Sequence, residues 1–388
     1  MSRFQSQLNT ATRLIESYRP GEPFHLYLKQ YFSANRKHGS SDRKLIRDLC
    51  YSYFRIGQWI SDQSISDRLL AAYYLVITDP MPLISALCPE WPVPTSHEPT
   101  ARAAQIGLAW QPDLVFPWAD QLSTAIDPTA FIESLLRQPD LFVRIRPGQE
   151  STVRDKLSRD QIQHRVIGKT ALALSNATSL ESRFSLDWEI VVQDLSSQRI
   201  AELFQTMPVR TSWKVWDACA ASGGKSLLTY DHLPQVQLTC TDLRPNILRN
   251  LQSRLQRAGI PVEHVGVDDL TQRRDRSAMG KFDLILADVP CTGSGTWSRT
   301  PEQLCHFDPS SIDSYAERQY AILQQLIPQL EPDGYLLYMT CSVFHKENEA
   351  VVNRFCGSNG MELIEMKTFT GYADRADSLF AALLKRLS

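Results

Sequence analysis

The rhythm of apolar and polar positions changes twice along the chain. In the first third it is helical. "DRKLIRDLCYSYFRIGQWI" over 42–60 sets Leu45, Leu49, Tyr53 and Ile56 on one stripe, with Ser41 or Asp42 as the expected cap. Between 77 and 118 the pattern is interrupted by Pro80, Pro82, Pro89, Pro92, Pro94 and Pro99, which predicts short helices and turns. Over 140–200 the periods mix. "LFVRIRP" and "ALALSN" read as strands, "ESTVRDKLSRD" as a helix between them, and "WEIVVQDLSSQRIAELF" as a strand, a turn and a helix start. From about residue 211, short apolar runs alternate with helical segments. Strands are expected at 213–217, 236–242, 262–267, 282–288 and 334–340, and helices at 245–258 and 310–330, the second ended or kinked by Pro328. This alternation predicts an α/β fold with a mostly parallel sheet covered on both faces. Three domains follow: a helical one over 1–138, a small α+β one over 139–200, and the α/β one over 201–388.

Open parallel sheets bind ligands beyond the carboxyl ends of their strands. That rule sets Asp217, Asp242, Asp288 and Cys341 along one rim. "VWDACAASGGKSLL" over 215–228 reads as strand, small-residue loop and helix, and Gly223 and Gly224 let a ligand approach the backbone. A phosphate-binding P-loop would need glycine at 219, where the chain has cysteine, and the dinucleotide fingerprint is also missing. Asp242, 18 residues beyond Gly224, suits the two hydroxyls of a ribose. An adenosine cofactor without a pyrophosphate fits both features, and S-adenosyl-L-methionine is one. The bland alternative is a structural loop and a helix-capping aspartate. Asp268 or Asp269 falls where the adenine amino group would lie. Asp268 is preferred because the alternation of Val265 and Val267 ends there.

The eight cysteines form no CxxC pair, so neither a zinc site nor a disulfide framework is expected. Most read as buried apolar thiols. Cys291 and Cys341 differ, because each ends a strand on the ligand rim. A thiolate that adds to carbon 6 of a cytosine makes carbon 5 nucleophilic toward a sulfonium methyl, which is covalent catalysis. Asp288 is placed to hydrogen-bond the ring. Lys225 is a candidate for ionising Cys341 by its rim position alone. Methyltransferases acting on amino groups carry Asp/Asn-Pro-Pro-aromatic at the fourth strand. Here Asp288-Val289-Pro290-Cys291 puts a thiol where the aromatic ring would be.

With 43% hydrophobic and 22% charged residues, the composition is that of a soluble globular protein. The net charge of −2 gives no global nucleic-acid signature. Residues 1–60 carry ten Lys and Arg against four Asp and Glu, interleaved with aromatics. That mixture suits an RNA-binding surface and equally a charged coat over an aromatic helical core. The arginine-bearing first twenty residues predict no secretory leader, and no run of about 18 apolar residues predicts a membrane span. A cytoplasmic protein without a membrane partner is expected.

Three motifs resemble the RsmB/Nop2/Sun family of S-adenosylmethionine-dependent RNA cytosine-5 methyltransferases. They are Asp217-Ala-Cys-Ala-Ala-Ser-Gly-Gly-Lys225, Asp288-Val-Pro-Cys291-Thr-Gly-Ser-Gly295, and Tyr338-Met-Thr-Cys341-Ser342 followed by Glu347-Asn348-Glu349. "DRKLIRDLCYSYFRIG" is similar to the NusB-like helical domain of that family. The resemblance implies a Rossmann-like class I sheet of seven strands, the last antiparallel, and an RNA-binding helical domain in front. It implies Cys341 as the nucleophile and Cys291 as the residue assisting product release. Cys219, Ala220, Ala221, Ser222, Gly223, Gly224, Lys225, Asp242, Asp268 and Asp288 would contact S-adenosyl-L-methionine or the target base. A ribosomal RNA substrate is expected, with transfer RNA second, and a monomer. Ser222 stands where the family has proline, and Ser378-Leu379 where it has Gly-Phe. The alternative is a non-catalytic RNA-binding or ribosome-assembly protein on the same fold. Glu347, Asn348 and Glu349 either position the turn after Cys341 or start a helix with an acidic first turn; the helix start is preferred.

Overall fold

The computed structural model describes residues 2–387. Where three domains were expected, the chain forms two compact units. One holds residues up to Leu122, Asp127–Gln138 and Thr296–Pro309; the other holds Ser123–Ile126, Pro139–Gly295 and 310–387.

The first unit is helical. It contains α1 (Arg3–Ser17), α2 (Phe24–Ala34), α3 (Ser40–Arg55), α4 (Ile65–Val76), α5 (Pro82–Leu87), α6 (Pro99–Gln105), α7 (Pro112–Val115) and α8 (Pro128–Leu135), together with a five-residue helix at Pro301–Cys305. Each short helix from α5 to α8 begins on a proline, whose fixed φ suits a first helical turn. α3 begins before the expected caps Ser41 and Asp42, both of which lie inside the helix. Gly39 is its cap, and the Asp42 carboxylate accepts the Gly39 amide at 3.2 Å. The buried stripe runs through Ile46, Leu49, Cys50 and Phe54, while Leu45 and Tyr53 are half-buried. Phe24, Trp59, Tyr74, Phe116, Phe131 and Trp297 fill the core. One of the ten basic residues, Arg55, is structural: it is buried and donates to the carbonyls of Leu135 (2.9 Å) and Arg137 (3.0 Å). Arg36, Lys37, Arg43, Lys44 and Arg47 are exposed.

The second unit carries two sheets. The smaller pairs β1 (Leu141–Ile145), β2 (His164–Val166), β3 (Ala171–Leu174) and β4 (Ile190–Val192) in the antiparallel order β2-β3-β1-β4, with α9 (Glu150–Arg159) on one face. After α10 (Leu195–Arg199) come β5 (Trp213–Asp217), α11 (Gly224–His232), β6 (Val236–Asp242), α12 (Pro245–Arg257), β7 (His264–Val267) and β8 (Phe282–Asp288). Beyond α13, the Pro301–Cys305 helix, follow α14 (Ser311–Leu326), β9 (Leu330–Thr340), α15 (Glu349–Ser358), β10 (Met361–Thr370) and β11 (Ser378–Arg386). Pro328 sits in the 3-10 turn that ends α14, as the sequence required.

The larger sheet has seven strands in the order β10-β11-β9-β8-β5-β6-β7. Strands β5 to β9 are parallel and β11 runs antiparallel beside β9. The fold is α/β and Rossmann-like. Alternate residues feed two cores. Val215, Leu238, Leu286 and Met339 face α11 and α12, and Trp216, Ile285, Leu336 and Tyr338 face α14 and α15. The small sheet does not stand apart from the large one. Arg144 of β1 and Arg146, just beyond its end, donate to Asp231 of α11 at 2.6 and 2.7 Å, and the Asp231 side chain is only 2% exposed. Leaving any of these charges without its partner would be costly, so the two sheets are joined rather than linked.

Candidate active site

Four strand ends build the rim. β5 ends at Asp217, β6 at Asp242, β8 at Asp288 and β9 at Thr340, so the expected aspartates and Cys341 stand in neighbouring positions across β6-β5-β8-β9.

At the β5 end, residues 218–223 form a turn that hands the chain to α11. Ala221 and Gly223 adopt left-handed backbone angles, φ 46° and 84°. The turn is tied to the next strand: Ala220 donates to the Thr241 carbonyl and Ala221 to the Asp242 carboxylate, both at 2.9 Å. Ser222, in the proline position, is held by Arg254, which reaches its carbonyl at 3.0 Å and its hydroxyl at 3.2 Å. Cys219 faces inward, and burial pushes its thiol up. Lys225 spans the site, donating to Ser197 Oγ at 2.9 Å and Asp288 Oδ2 at 3.1 Å. Lys225 is therefore engaged with Asp288, not with a thiol.

The carboxylates divide by environment. Asp217 is fully buried, takes the Ser226 hydroxyl at 2.6 Å, and has one oxygen without a hydrogen-bond partner. Burial raises its pKa to about 7. Asp242 is lowered instead. Burial acts against this, but the Arg244 guanidinium and two backbone amides outweigh it. Arg244 is 61% exposed, so it can swing away from the ribose position. Asp268 differs from the free acid expected at the adenine position. Arg276, itself 5% exposed, grips it with two bonds of 2.6 and 2.9 Å. Asp269 turns to Thr271, accepting its amide at 3.0 Å and its hydroxyl at 2.6 Å.

At the β8 and β9 ends the two thiols meet. Cys291 Sγ lies 3.2 Å from Cys341 Sγ. The hydrogen bond to Cys341, then burial, then the charge of Cys341 and after it that of Glu347 hold the Cys291 thiol well above its ordinary range. Gly295 donates to the Cys341 carbonyl at 2.8 Å and packs so closely that a Cβ there would lie 2.1 Å from the Ser378 carbonyl oxygen.

Residues 204–379 match the model of the family described as 16S rRNA methyltransferase RsmB/F. Over those residues the chain is similar to the RsmB/Nop2/Sun methyltransferases. A curated relative of that kind, "Probable ribosomal RNA small subunit methyltransferase B" of Bacillus subtilis (strain 168), is 26% identical over 250 residues. That match covers 62% of this chain and 54% of the relative, so the chain spans about half of that protein's length. Two solved structures share the fold. PH0851 aligns with a TM-score of 0.68 at 18% identity, over 99% of this chain and 98% of its own. NSun6 from Pyrococcus horikoshii with SFG aligns with a TM-score of 0.58 at 17% identity, over 70% of this chain and 97% of its own.

The family motif after Cys341 is more than a helix start. Glu349 does open α15, but Glu347 and Asn348 are fully buried. Asn348 accepts the Thr340 hydroxyl at 2.6 Å and donates to Ser123 Oγ at 2.8 Å and the Ser342 carbonyl at 3.0 Å. Glu347 takes the Thr292 amide (2.9 Å), the Thr292 hydroxyl (2.5 Å), the Ser342 hydroxyl (2.5 Å) and Gln319 Nε2 (2.9 Å). Thr292, Ser294, Gln319 and Ser342 were not singled out from sequence. The available signal was the small hydroxyl residues that accompany the two cysteines.

Proposed function

We propose that the chain is an S-adenosyl-L-methionine-dependent methyltransferase that modifies carbon 5 of a cytosine in ribosomal RNA. The observation carrying this reading is the pair of strand-end thiols 3.2 Å apart on the rim that also bears the glycine turn. The turn fits the cofactor. A Cβ at Gly224 would meet open space, Ala221 and Gly223 hold the turn open, and Asp242 offers a lowered carboxylate to the ribose hydroxyls. The neighbour solved with SFG, an analogue of this cofactor, supports the same choice. When bound, the cofactor supplies an electrophilic methyl on a sulfonium.

The chain's residues would do the rest. The Cys341 sulfur adds to carbon 6 with its lone pair, and the ring π pair moves to carbon 5. Carbon 5 would then take the methyl, and the cofactor, held by the 218–223 turn and Asp242, would leave as the neutral thioether. Asp288, steadied by Lys225, accepts the exocyclic amine and orients the ring. In release, the carbon 5 proton leaves to solvent, its bonding pair restores the double bond, and the carbon 6–sulfur pair returns to Cys341. Cys291 donates its S–H to that returning charge. The exposed Arg36, Lys37, Arg43, Lys44 and Arg47 give the helical unit a basic surface for RNA phosphates. Incubation with methyl-labelled S-adenosylmethionine and unmodified ribosomal RNA, followed by nucleoside mass spectrometry, tests this. 5-Methylcytidine is the expected product. Another methylated nucleoside, or no transfer with either ribosomal or transfer RNA, would overturn it.

A further inference from the structure

We propose that Glu347 is a positioning residue of the two-thiol site: it clamps the loop carrying Cys291 to the strand end carrying Cys341 and sets how the pair shares its proton. This rests on the methyltransferase reading and deepens it. Four donors from three elements converge on this one side chain. Two come from Thr292, next to Cys291; one from Ser342, next to Cys341; one from Gln319 of α14. An ionised carboxylate accepts from all four without any hydroxyl having to turn, against the burial that raises its pKa. A buried carboxylate is expensive to desolvate, so a purely structural bridge could use a neutral side chain at lower cost. The charge therefore has a consequence to account for its presence.

That consequence lies in the groups facing it. Cys291 comes from the loop after β8, Tyr338 from β9 and Cys341 from just beyond the end of β9, and the Tyr338 hydroxyl donates to the Glu347 carbonyl at 2.5 Å. Lys346 turns to the surface, where it pairs with Asp313 of α14 at 2.6 Å. No cation among the described residues is bonded to Glu347. A negative charge beside a thiol favours its protonated form. The bond to Cys341 and burial come first in holding Cys291 protonated and the charge of Glu347 adds to them, which favours Cys291 as the donor of the 3.2 Å contact. The same clamp fixes the sulfur–sulfur approach through Gly295, which donates to the Cys341 carbonyl, and Ser294, which accepts the Val343 amide at 2.9 Å.

The test compares Glu347→Gln with the native full-length chain. An amide can keep much of the network, because the Thr292 and Ser342 hydroxyls can turn to accept. Single-turnover methyl transfer should fall at least about tenfold while cofactor affinity stays within about twofold, as expected when reacting groups are misplaced but binding is spared. The pH profile of Cys291 alkylation by iodoacetamide, read by peptide mass spectrometry, should shift to lower pH once the charge is gone. Unchanged rate and alkylation profile, or a parallel loss of cofactor affinity, would overturn the proposal. Ser342→Ala and Thr292→Val provide the check if Glu347→Gln does not fold. Each removes one arm and leaves the charge, so the rate should fall and the Cys291 profile should stay. Full native rate in both would equally overturn it. Alkylation is read without any methyl transfer, so an inactive native chain would count against the methyltransferase reading alone.

Discussion

The two halves of the active rim are built by opposite means. Beside β5 and β6 the cofactor turn is held by backbone bonds and by arginines, of which Arg244 is 61% exposed. Beside β8 and β9 the thiols sit over Glu347, Asn348, Ser294 and Ser342, all between 0 and 1% exposed. On the proposed reading, the half that would admit and release a cofactor on every turnover uses contacts that can be exchanged with solvent. A half that must hold two sulfurs within contact distance uses buried bonds whose loss leaves polar groups unsatisfied. Substitutions should therefore act differently on the two sides.

The largest effects are expected at the thiols. Cys341→Ala should bring methyl transfer below detection, while Cys291→Ala should accumulate an RNA–protein adduct that survives denaturing electrophoresis. Adduct formation in Cys341→Ala instead would exchange the two roles. Next is Gly295→Ala, whose methyl would lie 2.1 Å from the Ser378 carbonyl and 3.0 Å from that of Cys341. It should cost about 1–3 kcal/mol in chemical denaturation and slow transfer without weakening cofactor binding. On the cofactor side, Asp242→Ala should weaken S-adenosylmethionine binding by about tenfold to a hundredfold in calorimetry, as for a lost bond to a charged group. Arg244→Ala should change it by less than about threefold, the usual scale of an exposed ion pair. Equal losses in those two would deny that this half is exchangeable.

The smallest effect is a slope. Asp217 is raised to about 7 in the folded chain, so its contribution to stability is present below its unfolded value and is lost as pH rises through 7. Asp217→Asn should flatten the fall in melting temperature between pH 5 and pH 8, and above pH 7 the variant should be the more stable chain, by an amount on the order of a few kcal/mol. A steeper fall in the variant would contradict the assignment.

What the sequence disclosed follows the same division. The parallel strands were legible because their apolar runs are short and end sharply. The expected 213–217, 236–242 and 282–288 coincide with β5, β6 and β8. β10 escaped, although Met361, Leu363 and Phe369 hint at it, because an edge strand mixes exposed and buried positions. The motif residues were visible as motifs. The burial of Glu347 was not, since an acid following Lys346 and preceding a good helix reads as surface. The Asp268–Arg276 pair was hidden for another reason: its partner lies eight residues on, in a loop without periodicity. The joining of the two sheets was equally silent, because it rests on Arg144 and Arg146 finding Asp231 across more than eighty positions.

Ser222 carries one more consequence. A proline stiffens a turn covalently, whatever the solution around it. Here the turn leans on Arg254, which is 18% exposed and shared with Asp187 at 2.9 Å. Stiffness lent by a charge can be withdrawn by salt. The amides of Ala221 and Gly223 should exchange with deuterium faster as ionic strength rises, making this turn a gauge of the surrounding electrolyte.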